Sequence, residues 1–305
     1  MLLRRLVPTI LLACALAVPA GARAFDRPQD DPPASPAQRL ADMPYGTAPR
    51  QRMDVYLPAA RAPAAPSPDG LAPVVFMVHG GAWSLGDKAH GGVVREKVAR
   101  WVPRGFVVIS VNYRLHPAAD VPRQAQDVAD ALAAAQRRAA EWGADPSRFI
   151  LMGHSAGAHL VALLNASPAL ARQAGVPRPW LGAVALDSAA LDVPAVMTAP
   201  HARFYDRVFG ADPAFWRRTS PYHALEGAVP PFLFVCSTRR ADASCGPAEA
   251  MARRAQALGG RAEVLPQALA HGEINAELGQ ESGYTRAVER FMASLDAQVA
   301  QRLGH

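Results

Sequence analysis

Phe149-Ile150-Leu151-Met152-Gly153-His154-Ser155-Ala156-Gly157-Ala158-His159-Leu160-Val161-Ala162-Leu163-Leu164 is the stretch that decides the reading of this chain. Its first four residues are apolar without alternation, as in a strand buried on both faces. From Ala156 the run of Ala, Leu and Val reads as a buried helix. Between them, Gly153-His154-Ser155-Ala156-Gly157 matches G-x-S-x-G in the strand-to-helix context this motif needs. A turn that sharp strains the backbone at the serine, and its neighbours must be small so that the two chain segments do not collide. Gly153 and Gly157 meet that demand, and the Ser155 hydroxyl is expected above a sheet, at the positive end of the following helix.

A second turn lies upstream. His79-Gly80-Gly81-Ala82-Trp83 directly follows the apolar run 74–78. Small residues let a backbone approach a ligand closely. Amide N–H groups aimed at the negative oxygen of a tetrahedral intermediate are usually a large catalytic factor, at ~10²–10³ in rate per donor. The amides of Gly81, Ala82 and Ala156 are the candidate donors.

Working outward, strand-length apolar runs recur at 53–57, 74–79, 106–112, 149–152, 181–186, 232–236 and 262–265. Helical stretches are expected at 91–103, 122–142, 156–173, 247–258 and 283–302. Strand and helix in alternation imply an α/β fold, a mostly parallel sheet covered by helices on both faces. Residues 43–305 read as one domain. The segment 189–225 is irregular and carries Phe204, Tyr205, Phe209, Phe215 and Trp216, which suits a small cap over a site.

The N-terminus has the three parts of a secretory signal: Arg4 and Arg5, an apolar run over 6–20, and Ala22-Arg23-Ala24 as a small-x-small cleavage site. Cleavage after Ala24 would deliver the protein to the periplasm or the exterior, with 1–24 removed. The alternative is a lipoprotein box, Leu11-Leu12-Ala13-Cys14, with Cys14 lipidated; the large Leu12 and the apolar run continuing past Cys14 argue against it. The apolar run is short for a membrane span and is interrupted by Pro8 and Pro19. Residues 25–42, rich in Pro and polar groups, are expected to form a flexible leader, and 59–73 a long connection. The formal net charge of +6 would be halved by loss of Arg4, Arg5 and Arg23, and no basic cluster interleaved with aromatics suggests a nucleic-acid partner. Without Cys14, Cys236 and Cys245 remain, an even number that fits one disulfide in an oxidising compartment.

The motifs His79-Gly80-Gly81-Ala82-Trp83, Val111-Asn112-Tyr113-Arg114-Leu115 and Gly153-His154-Ser155-Ala156-Gly157 resemble those of the α/β-hydrolases. Within that superfamily they resemble the H-G-G esterase/lipase branch, and within it the bacterial carboxylesterases related to feruloyl esterases and kynurenine formamidase. Ala82 stands where a neighbouring branch has a third glycine, but alanine still offers its N–H. The resemblance implies the chain order serine, acid, histidine. His271, in Ala270-His271-Gly272 after the last strand-like run, is then the base. The family's acid commonly sits on the loop after the strand 232–236, where Asp242 is the only carboxylate; Asp187 and Asp192 are the alternatives. Cys236 and Cys245 bracket Asp242, so a disulfide there would clamp that loop and hold the acid.

These residues imply acyl transfer through an acyl-enzyme on Ser155, with a small-molecule carboxylic ester as substrate. Two other readings stay open: an amide or formamide hydrolase, and a hydrolase-fold binding protein without turnover. No metal-ligand spacing, phosphate loop or dinucleotide fingerprint is visible, and no cofactor is expected.

Overall fold

In the computed structural model, which describes residues 37–58 and 70–305, eight strands form one sheet in the order β1-β2-β4-β3-β5-β6-β7-β8. The strands are β1 (Ala37–Pro44), β2 (Arg52–Pro58), β3 (Ala72–Val78), β4 (Val107–Val111), β5 (Ala144–His154), β6 (Gly182–Leu186), β7 (Phe232–Ser237) and β8 (Ala262–Gln267). β1 and β2 run antiparallel to their neighbours, and from β4 to β8 every pairing is parallel. The expected signal segment 1–24, Cys14 and most of the expected leader lie outside the described residues. The leader expected over 25–42 is too long at its C-terminal end: residues 37–42 belong to β1, which adds an edge strand along β2. Sequence periodicity is weak there because β1 buries none of its residues fully.

The inner runs are apolar throughout because both sheet faces are covered. Val74, Phe76 and Val78 of β3 enter one core cluster, and Val75 and Met77 enter the other. β7 divides in the same way, with Phe232, Phe234 and Cys236 on one side and Leu233 and Val235 on the other. The covering helices are α1 (Gly91–Trp101), α2 (Val121–Arg138), α3 (Ala156–Ala166) and α4 (Pro168–Ala174). Between β6 and β7 lie α5 (Val193–Thr198), α6 (Arg203–Phe209), α7 (Pro213–Arg218) and α8 (Pro221–Ala224). After β7 come α9 (Cys245–Ala257), α10 (His271–Ala276), α11 (Gly283–Ala293) and α12 (Ala297–Leu303).

Two expected helices are split. The helix expected over 156–173 breaks at Ser167, because Pro168 cannot donate the backbone bond that continuation requires and instead opens α4. The helix expected over 283–302 breaks at Ser294–Asp296, where the Asp296 carboxylate accepts from the amides of Gln298 and Val299 and starts α12. The irregular stretch 189–225 is a set of four short helices, three of them opened by proline.

Candidate active site

Every residue singled out for chemistry sits at the carboxyl end of a parallel strand, where an open α/β sheet leaves a crevice. Ser155 follows β5 and precedes α3 with φ 55° and ψ −118°, a left-handed conformation unusual for any residue but glycine. Two bonds pin it: its amide donates to the Leu186 carbonyl at 2.9 Å, and its carbonyl accepts from the His159 amide at 3.1 Å. Gly157 is needed by close approach, because a Cβ there would press into the carbonyls of Val78 and His79 at the end of β3. The G-x-S-x-G glycine therefore lets the elbow and the upstream turn touch.

That turn is wound tightly, with Gly81, Ala82 and Trp83 all at positive φ. The Gly81 carbonyl accepts from the amides of Ser84 and Leu85 at 3.0 and 2.9 Å. Among the described residues the amides of Gly81 and Ala82 donate to no protein acceptor, and the Ala156 amide, first in α3, has no intrahelical one. Trp83 is the anchor of the turn. Its indole N–H donates to His159 Nδ1 at 3.1 Å, while His159 Nε2–H donates to the Thr219 carbonyl at 2.7 Å. Phe204, Tyr205 and Phe209 of α6 pack around the same indole, with ring centroids 5.0 to 6.4 Å away. Part of the 189–225 segment thus buttresses the turn, and His159, a structural histidine, ties the two together. Burial holds His159 neutral, with its pKa pushed down to about 4.

His271 opens α10 just past β8, and its Nε2 lies 3.0 Å from Ser155 Oγ. Its Nδ1 donates to Oδ2 of Asp187 at 2.6 Å. The acid against His271 is therefore Asp187, directly after β6, and the preference for Asp242 is corrected. Asp242 is half exposed and turned outward, its carboxylate gripping Arg240 from the solvent side. The Arg240 guanidinium fills the space between Asp242 and His271, so Asp242 cannot reach the ring. Asp192 is also elsewhere, capping α5 through the Ala195 amide.

Asp187 is enclosed by donors. Its Oδ1 accepts from the Ser237 amide at 2.8 Å and the Ser244 hydroxyl at 2.6 Å, and Arg240 Nη1 lies 3.0 Å from Oδ2. Burial alone would raise this carboxyl. The bonds from His271, Ser244 and Ser237, with the Arg240 charge, outweigh burial and hold it below the usual carboxylate range. His154 lies under His271, ring centroids 4.5 Å apart, and its Nε2–H donates to the His271 carbonyl at 2.9 Å. Burial and the neighbouring imidazole push His154 down to about 3, so it supports the base without a competing charge.

Cys236 and Cys245 form a disulfide. It closes the loop after β7, and Ser237, Arg240 and Ser244 inside that loop are the groups that grip Asp187. The loop does hold the acid, but an acid that arrives from another strand. Nothing in the sequence marks Arg240 or Ser244 for this task, whereas Asp187 carried the signal of a carboxylate directly after a buried strand. Among the described residues no cluster of three or more His, Cys, Asp or Glu side chains is placed to hold a metal ion, and no helix is long and apolar enough to cross a membrane.

Sheet order, elbow and the strand-end site define the α/β-hydrolase fold. Residues 53–175 match the BD-FAE family model, so the chain carries the segment that includes both the oxyanion-type turn and the elbow, as the motifs implied. A probable isoprenylcysteine alpha-carbonyl methylesterase of Oryza sativa subsp. japonica is 35% identical over 143 residues, 47% of this chain and 32% of that protein. The kynurenine formamidase of Danio rerio is 34% identical over 130 residues, 43% of this chain and 40% of that protein. The chain spans less than a third of the length of the curated methylesterases it matches. Among solved structures, esterase B from Lactobacillus rhamnosis superposes with a TM-score of 0.68 at 22% identity, covering 92% of this chain and 90% of its own.

Proposed function

We propose that this protein is a serine carboxylesterase acting on short-chain or aromatic esters through an acyl-enzyme. The observation that carries the reading is one relay: Ser155 Oγ 3.0 Å from His271 Nε2, and His271 Nδ1 2.6 Å from the buried Asp187 carboxylate. His271 takes the Ser155 proton as the hydroxyl attacks the ester carbonyl. The oxyanion meets the free amides of Gly81, Ala82 and Ala156. Protonated His271, steadied by Asp187, gives its proton to the leaving alcohol, and water attacks the acyl-enzyme by the same route in reverse. None of these steps draws on a group beyond the chain and water.

The likeness to a kynurenine formamidase supports a second reading, cleavage of an amide or formamide by the same residues. The N-terminal pattern supports export with cleavage after Ala24, checked by N-terminal sequencing of the exported protein. The experiment on function compares hydrolysis of p-nitrophenyl acetate, butyrate and octanoate, methyl ferulate and N-formylkynurenine by wild type and Ser155→Ala. Ester turnover that disappears in the variant is the expected result. Turnover of the formamide alone would move the protein to the second reading. No turnover together with no labelling of Ser155 by a fluorophosphonate would leave a binding protein.

A further inference from the structure

Arg240 touches both the acid and the base of the proposed reaction without taking part in its bond changes. Its Nη1 lies 3.0 Å from both the backbone carbonyl and Oδ2 of Asp187, and 2.9 Å from His271 Nδ1. Nδ1 already donates to Oδ2, so two donors converge on one carboxylate oxygen and neither can accept from the other. A guanidinium is permanently charged, and this one is further fixed by Asp242 on its outer edge.

We propose that Arg240 is a positioning residue for the esterase reaction argued above: it fixes the Asp187 carboxylate against His271 and sets a permanent positive charge at the Nδ1 edge of the imidazole. The inference rests on the triad assigned under that reading. The other charged and titratable groups facing His271 are placed differently. From β6 comes Asp187, a negative charge bonded to Nδ1; from β5 comes His154, held neutral by burial. The β7–α9 loop brings Arg240 and Asp242. On α10 itself, Glu273 accepts from the Ala270 amide and lies 3.5 Å from Arg239. α6 brings the Tyr205 phenol toward Arg240. Lys97 of α1 donates to the Asn275 carbonyl at 2.6 Å, at the far end of α10. Among the described residues only Arg240 places a permanent positive charge against the ring edge.

The test is the pH profile of kcat/KM for p-nitrophenyl acetate in wild type, Arg240→Gln and Arg240→Lys. Removing the charge lets the imidazolium form more easily, so the acid limb of Arg240→Gln should move up by about one pH unit. Arg240→Lys keeps the charge without the fork and should lie between the two. A limb that stays at the wild-type pH in both variants, whatever the loss of rate, would make Arg240 a structural residue only and overturn the proposal. If Arg240→Gln does not fold, the position of the limb in Arg240→Lys decides the matter by the same criterion. Stoichiometric labelling of Ser155 by a fluorophosphonate at pH 8 separates the two levels: wild-type protein that does not label removes the esterase reading itself, whereas labelled protein with an unmoved limb removes only the role of Arg240.

Discussion

Asp187 and His271 meet at 2.6 Å although one leaves β6 and the other follows β8, with β7 between them in the sheet. The contact exists because Asp187 turns at φ 57° under the loop leaving β7, whose own amide and hydroxyl donors close over the carboxylate. The acid is therefore buried and bonded at both oxygens by groups other than the imidazole.

Exchanging carboxylates for amides separates the two acids. Asp187→Asn should lower kcat on p-nitrophenyl acetate by about 10⁴-fold, since the amide no longer holds the working tautomer of His271. Asp242→Asn should cost less than about tenfold, because the Asp242 carboxylate bonds Arg240 and not His271. The opposite ranking would return the acid's role to Asp242.

Three buried histidines set the pH dependence of stability. His79, His154 and His159 are pushed down by burial to about 4, 3 and 4, whereas the unfolded chain takes up these protons near 6.5. Between those values the unfolded state binds more protons, so stability falls as pH drops from about 6.5 toward 4. Asp187, held low, gives stability that is present above its unfolded pKa of about 4 and is lost only as pH falls below it. Urea midpoints from pH 7.5 to 4.5 should decline in wild type and decline less steeply in His159→Gln. Parallel slopes would contradict the assignment of His159.

The disulfide joins residues nine apart and should contribute about 2–3 kcal/mol by restricting the unfolded chain. Its functional effect is expected in kcat more than KM, because the loop grips the acid and not the substrate. Cys236→Ser with Cys245→Ser should melt earlier and turn over more slowly at similar KM. A double variant with unchanged kcat would mean that Ser237, Arg240 and Ser244 hold Asp187 without the bridge.

Gly157→Ala is the sharpest test of the packing between elbow and oxyanion turn. The added methyl faces two backbone carbonyls of β3's end, which cannot rotate away as a side chain would. Destabilisation of about 1–3 kcal/mol is expected, with loss of activity if the turn is displaced. Gly246→Ala, where a Cβ meets nothing within 4 Å, serves as the control.

The elbow, the oxyanion turn and the inner strands were legible in the sequence because each is a local matter. A strand covered on both faces must be apolar at every position, as Val74 to Val78 are, and a turn as sharp as that at Ser155 must have small neighbours. His271 was legible from the chain order the resemblance implied together with its place after the last strand-like run. The edge strand β1 was not, since a half-solvated strand such as Ala37–Pro44 carries little hydrophobic pattern. Which carboxylate serves His271 was decided only by tertiary structure. Asp187 and Asp242 both follow buried strands, and the choice depends on the path of the disulfide-closed loop: it folds back over Asp187, turns Asp242 to solvent and drives Arg240 between them. That outcome is a competition for one enclosed space beside an imidazole, set by strand order and loop path, and neither carboxylate's sequence neighbours record it.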